Sequence, residues 1–221
     1  MRPAFFFMAR SKSSAQWLRR HVTDPYVKRA QAQGYRSRSA FKLLEIDQRE
    51  RILKPGALVV DLGAAPGGWS QVAAQKVGAK GKVVAIDRLE IAPLAGVTVL
   101  QGDLRDERTR EALAHALGGR KADAILCDLS PDLTGIASTD QARAAELVSI
   151  ALEFCRAALE PRGTFLVKVF QGESFKEVLA ATKATLREVH TRKPDASRTE
   201  SRETYLVARG LRDASRLQEP D

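Results

Sequence analysis

Lys168 stands inside one of the most apolar stretches of the chain, Phe165-Leu166-Val167-Lys168-Val169. A lysine is seldom buried without a partner, so one in this setting either snorkels from a strand end or takes part in chemistry. Carboxylates recur in comparable settings: Asp87, Asp103 and Asp128 each close or follow a short apolar run. Runs of this kind read as buried strands, and open α/β sheets bind ligands just beyond the carboxyl ends of their strands. Adjacent strand ends would bring Asp128 to Lys168, an arrangement suited to orienting or deprotonating a hydroxyl.

The segment Val59-Val60-Asp61-Leu62-Gly63-Ala64-Ala65-Pro66-Gly67-Gly68-Trp69-Ser70 reads as a strand, a glycine-rich turn and a helix start. Glycines there let the backbone approach a ligand closely. Ala65 stands where the second glycine of G-x-G-x-x-G would meet a pyrophosphate, and Pro66 removes an N–H that would bind phosphate. Both departures favour a nucleotide-like cofactor without a pyrophosphate, S-adenosylmethionine being the commonest for such a turn. Asp87, twenty residues after Gly67, is placed to accept hydrogen bonds from ribose hydroxyls. Asp103 is placed to meet an adenine amino group, and Trp69 either walls the cofactor pocket or belongs to the core. After Asp128 comes Leu129-Ser130-Pro131-Asp132, with no aromatic residue to stack on a base. Methylation of an exocyclic amine is thereby disfavoured, and an oxygen acceptor is favoured.

The elements that must hold these groups follow from hydrophobic periodicity. Strands are predicted over 58–62, 82–86, 97–100, 124–127, 164–169, 187–191 and 204–208, and helices over 39–51, 69–77, 107–117, 140–159 and 174–185. Gly78, Gly118-Gly119, and Pro161 with Gly163 act as helix stops. Apolar strands separated by helices predict an α/β fold: a doubly wound, mostly parallel seven-stranded sheet with helices on both faces. With 221 residues there is one sizeable core. The expected division is a basic, partly disordered, RNA-contacting arm over 1–35, a catalytic domain over 36–209 and a tail over 210–221.

Residues 1–42 carry ten Lys/Arg and one acid, Asp24, which accounts for the whole formal charge of +9. A polyanion meeting one face is implied rather than a generally basic protein. Arg19, Arg20, Lys28, Arg29, Arg36 and Arg38 are candidates to neutralise phosphates, and Trp17, Tyr26 and Tyr35 to stack on unpaired bases. The run Ala4-Phe5-Phe6-Phe7-Met8-Ala9 is too short to cross a bilayer, and a cytoplasmic protein without membrane contact is expected. Cys127 and Cys155 form no C-x-x-C pair, and His21, His115 and His190 have no metal-ligand spacing. Two buried free thiols and no metal are expected.

Taken together, the motifs closely resemble those of the FtsJ/RlmE family of ribose 2′-O-methyltransferases. The resemblance runs from about Tyr26 to Ala208. It rests on Arg36-Ser37-Arg38-Ser39-Ala40-Phe41-Lys42-Leu43, the block from Asp61 to Gln71, Val167-Lys168-Val169-Phe170-Gln171-Gly172, Arg192-Lys193-Pro194-Asp195 and Ser201-Arg202-Glu203. It implies a Rossmann-like fold, S-adenosylmethionine as cofactor, and methylation of a ribose, with uridine the implied acceptor, in large-subunit ribosomal RNA. It also implies a catalytic tetrad of Lys42, Asp128, Lys168 and Glu203, and cofactor contacts at Gly67, Trp69, Asp87, Asp103 and Asp128. Asp132 and Ala40 depart from the family pattern, both on the expected acceptor side. A monomer is expected.

Two roles are open for Lys168. As general base it would need a neighbouring cation or desolvation, because an ordinary lysine titrates near ~10.4. As an ammonium it would only steer the hydroxyl. Two rival functions also stand: an O-methyltransferase for a small molecule or another RNA, and a non-catalytic RNA-binding factor retaining the fold.

Overall fold

The computed structural model describes residues 23–132, 134–198 and 200–212. The readings placed on Trp17, Arg19, Arg20 and the order of residues 1–16 lie outside the described residues, as does the tail beyond Arg212.

The strands are β1 (Leu58–Leu62), β2 (Lys82–Asp87), β3 (Val97–Gln101), β4 (Ala122–Cys127), β5 (Leu159–Phe170), β6 (Leu186–Arg192) and β7 (Glu203–Leu211). They form one sheet in the order β3-β2-β1-β4-β5-β7-β6. The first five run parallel, while β7 is antiparallel to both β5 and β6. The helices are α1 (Pro25–Ala32), α2 (Ala40–Glu50), α3 (Gly68–Val77), α4 (Glu107–Leu117), α5 (Ala137–Ala158) and α6 (Phe175–Thr185).

Period-two alternation deals the strand residues to two cores. Val59, Val83, Ala124, Leu126, Leu166, Tyr205 and Val207 face α2 and α3, where they meet Leu43, Ile46, Trp69, Val72 and Val77. Leu58, Val60, Ile125, Phe165, Val167 and Leu206 face the other way, onto Leu113, Leu152 and Val178 of α4, α5 and α6. Cys127 and Cys155 are free and lie in this second core, where burial pushes each thiol up to about 12.

Four elements depart from the sequence reading by three residues or more. Within the expected arm, Asp24 caps α1 by accepting from the Tyr26 N–H at 3.0 Å, and Ala30 packs against Phe41 of α2 and Ala196. Helix α5 starts at Ala137, because the Asp140 carboxylate folds back to accept from the Thr134 and Gly135 N–H groups and so fixes the preceding turn. Pro161 and Gly163 do not precede β5 but lie within it. A register shift between Ala122 and Ala124 absorbs the residues between Leu159 and Thr164. At the far end β7 continues through Gly210 and Leu211, the latter paired with Leu186, two residues into the expected tail.

Candidate active site

The strand order turns back at β1 and β4: β2 and β3 lie on one side, β5 and β7 on the other. Side connections therefore diverge at this point and leave a crevice beyond the carboxyl ends. A cavity of about 620 Å³ occupies it, with Gly63, Asp87, Asp103, Asp128, Ser130 and Lys168 in its wall.

Lys168 lies in β5, directly opposite Tyr205 of β7. Its side chain is 6% exposed, so the ammonium requires compensation, and three acceptors surround it. These are Asp128 Oδ1 at 3.2 Å, the Asp128 carbonyl at 3.0 Å and Ser130 Oγ. Three acceptors match the three donors of an ammonium. The second pair, Lys42 Nζ with Glu203 Oε1 at 2.5 Å, joins α2 to the start of β7 across 161 residues of sequence. Burial works to raise the Glu203 carboxyl, but the Lys42 charge and hydrogen bonds from Lys42 and Tyr205 overcome it and leave it below the usual carboxylate range.

Tyr205 links the two pairs. Its hydroxyl donates to Glu203 Oε1 at 2.7 Å and stands 3.5 Å from Asp128 Oδ1, while its ring packs 5.7 Å from Trp69. Burial, reinforced by the Asp128 and Glu203 charges, holds this phenol well above its ordinary range, so it keeps its proton. All four residues of the expected tetrad are thus gathered in one network. The sequence reading missed Tyr205, although Glu203 and Tyr205 are two apart in a strand and so share a face.

Asp61 was also missed. It is fully buried on the face covered by α2 and α3; its Oδ2 accepts from Ser70 Oγ at 2.6 Å, and its Oδ1 has no hydrogen-bond partner among the described residues. Desolvation pushes this carboxyl up to about 7, with the Asp128 and Asp87 charges adding to it and the Ser70 hydrogen bond opposing.

The expected cofactor residues divide. Asp87 and Asp103 are on the cavity wall, as Asp128 is. Asp87 accepts from the Ala65 and Leu89 N–H groups, both at 2.9 Å, so it shapes the turn as well as facing the cavity. Asp103 is gripped by Arg105, through Nε at 3.0 Å and Nη2 at 2.6 Å, and this hydrogen bonding outweighs burial to hold its carboxyl down to about 2. Gly67 and Trp69 are not among the residues lining this cavity. Trp69 is 2% exposed in the core and donates to the Ser39 carbonyl at 2.8 Å. The glycines of the turn make room for protein: a Cβ on Gly63, which has φ +75°, would lie 2.9 Å from the Leu129 nitrogen, and one on Gly67 would lie 3.0 Å from Arg36 Nη1.

Several residues expected to meet RNA are otherwise engaged. Arg38 pairs with Asp24 and donates to the Ala196 carbonyl. Arg36 donates to three backbone carbonyls. The rings of Tyr26 and Tyr35 each pack 5.6 Å from Phe41. Ala40 is fully buried because the helical period turns it toward Leu43 and Trp69, not toward an acceptor. Asp132 is exposed and pairs with Arg88 at 3.1 Å. Lys28 is exposed, and the Arg29 guanidinium lies 4.5 Å from the Phe41 ring centroid. Among the described residues no group of His, Cys, Asp or Glu is arranged to hold a metal, and no helix is long and apolar enough to cross a membrane.

Solved structures of the same architecture set the class. A Plasmodium falciparum chain described as a ribosomal RNA methyltransferase superposes with a TM-score of 0.72 at 29% identity, covering 80% of this chain and 98% of that one. Aeropyrum pernix fibrillarin, solved with natively bound S-adenosyl-L-methionine, superposes with a TM-score of 0.56 at 18% identity, over 79% of this chain and 75% of that one, which is a likeness of fold. With its cavity at the strand switch point and its buried lysine beside it, the protein is a Rossmann-like methyltransferase.

Sequence comparison sharpens this. Curated proteins named Ribosomal RNA large subunit methyltransferase E match almost end to end: that of Marinobacter nauticus is 50% identical over 207 residues, 94% of this chain and 100% of the relative. That of Nitrosospira multiformis is 52% identical over 206 residues, 93% of this chain and 100% of the relative. The family described as FtsJ-like methyltransferase matches residues 35–211, and the chain belongs to it.

Proposed function

We propose that the chain transfers a methyl group from S-adenosylmethionine to the 2′-hydroxyl of a ribose, that of a uridine, in large-subunit ribosomal RNA, working as a cytoplasmic monomer. The observation that carries this reading is the Lys168–Asp128 pair at the cavity, joined through one tyrosine to the Lys42–Glu203 pair. The relatives' shared name and the excess charge of residues 1–42 support an RNA partner.

The cavity suits the donor: its volume falls in the ordinary range for small-ligand sites, about 300–1,000 Å³. Of its acids, Asp87 would hold the donor's ribose hydroxyls and Asp103 its base, with Asp128, paired to Lys168, completing the wall. When bound, S-adenosylmethionine supplies an electrophilic methyl on a sulfonium with a neutral leaving group. The chain's own task is to aim a poor nucleophile and dispose of its proton. Holding the hydroxyl in line is worth on the order of 7–11 kcal/mol through orientation alone. Lys168 directs the hydroxyl oxygen, whose proton leaves to water once the methyl has been transferred, and the Asp128, Glu203 and Tyr205 side chains fix the two lysines in place.

The acceptors around Lys168 Nζ favour an ammonium, which takes the steering role by exchanging a neutral acceptor, such as Ser130 Oγ, for the substrate hydroxyl. Labelled S-adenosylmethionine incubated with large ribosomal subunits, followed by mapping of ribose methylation, tests the whole reading. Incorporation at a single 2′-O-methyluridine supports it, and incorporation into a small molecule, or none, defeats it. Lys168→Arg separates the two roles, because an arginine keeps a charge that steers but cannot serve as a base.

A further inference from the structure

We infer that Arg36 is a positioning residue for the methyl-donor cavity rather than a phosphate contact. Its guanidinium staples the glycine-rich turn after β1 to the loop after β2, so the cavity walls keep their spacing before RNA arrives. This inference rests on the reading of the cavity as the donor site.

Its position among arm cations reads as a place to meet RNA, but the geometry is different. Nη1 donates to the Pro66 carbonyl at 3.2 Å and the Ala92 carbonyl at 2.7 Å, and Nη2 to the Pro93 carbonyl at 2.7 Å. Three of the side chain's five N–H donors are committed to two segments that are remote in sequence. The Arg36 backbone is itself anchored, its N–H donating to Gln71 Oε1 at 3.1 Å, and Gln71 Nε2 donates in turn to the Gly34 carbonyl at 2.7 Å.

The turn is built to receive this group. Gly67 has φ +106°, and a Cβ there would lie 2.8 Å from Leu94 Cδ1 and 3.0 Å from Arg36 Nη1, so the absent side chain is what lets turn, loop and guanidinium close up. On the cavity side the Asp87 carboxylate accepts from Ala65 and Leu89 and ties together the same turn and loop. A carboxylate within and a guanidinium outside therefore clamp one pair of segments. Only a fork of donors reaches carbonyls in both; a lysine presents one nitrogen and reaches fewer. The neighbouring Arg38 is tied the other way, to Asp24 and Ala196, so 36–38 is braced from both sides.

The test uses the full chain, with Arg36→Ala and Arg36→Lys beside wild type. S-adenosylmethionine affinity is measured by calorimetry without RNA, amide hydrogen exchange is measured without ligand, and RNA affinity is measured across a salt series. Arg36→Ala is expected to weaken S-adenosylmethionine binding about tenfold or more. It is also expected to speed exchange in 64–67 and 88–96 but not in the central strands. Arg36→Lys should restore little, with RNA affinity and salt slope unchanged. The inference is overturned if Arg36→Ala binds S-adenosylmethionine and exchanges like wild type, or if its main loss is RNA affinity with the salt slope reduced by about one. Wild type that fails to bind S-adenosylmethionine at all would overturn the donor-site reading itself, and this assignment with it.

Discussion

Replacing Asp61 by asparagine is expected to stabilise the protein, and by an amount that grows with pH. The carboxyl is fully buried, and desolvation lifts it from 3.8 to about 7. The folded state therefore holds a proton that the unfolded chain has already released. The stability associated with that proton is fully present below the unfolded value, is lost progressively as pH rises, and levels off once pH passes the folded value. At about 1.36 kcal/mol per unit the full loss is on the order of 4 kcal/mol, of which ~1.5 has gone by about pH 5 and nearly all by about pH 8.5. Asparagine imitates the neutral acid: its oxygen can accept from Ser70 as Asp61 Oδ2 does, and its amide nitrogen occupies the side of Oδ1. Any fixed difference between the two side chains cancels in the pH dependence. Urea unfolding of both proteins at the two pH values should show the variant's advantage widening by about 2–3 kcal/mol. A gap that stays constant, or narrows as pH rises, would refute the reasoning from burial.

Three other substitutions bear on the site and its frame. Lys168→Met should abolish methyl transfer to ribosomal subunits while leaving S-adenosylmethionine affinity within about threefold; a variant that keeps substantial turnover would remove Lys168 from the chemistry. Tyr205→Phe keeps the ring on Trp69 but removes the hydroxyl between Glu203 and Asp128, so kcat should fall about tenfold, near 1.4 kcal/mol, with KM little changed; an unaltered kcat would make the link incidental. Glu50 is half-buried, with its side chain 7% exposed, yet is held below the usual carboxylate range because Arg192 and Arg209, from β6 and β7, outweigh the desolvation that would raise it. Its contribution is present above the unfolded value and is lost as pH falls, so Glu50→Gln should cost about 2–3 kcal/mol in denaturant unfolding near neutrality and less in acid. An equal loss at both pH values would contradict the pairing.

The five parallel strands and most helices were legible because each strand is a short apolar run bounded by turn residues, and the acids and lysine stand at or near the strands' carboxyl ends. Lys42 and Glu203 carried no such local signal. One sits in an amphipathic helix and the other at the end of a polar loop, and only the family resemblance joined them. The reversed placement of β7 between β5 and β6 is a pairing choice made in three dimensions, invisible to periodicity, and with it went the Lys168–Tyr205 register. Arg36, Arg38, Tyr26 and Tyr35 were read as RNA contacts because composition reports charge and aromaticity without reporting which partners consume them. Asp24 followed by Pro25 was a helix-start signal that the basic composition obscured.

The reversed strand also couples the edge of the sheet to the site. Because β7 runs against its neighbours, its first residue, Glu203, arrives at the rim where the parallel strands finish, and β6, though made earlier, has no sheet partner except β7. Glu203 and Tyr205 thus reach Lys42 and Asp128 through the same strand that holds β6 in the sheet.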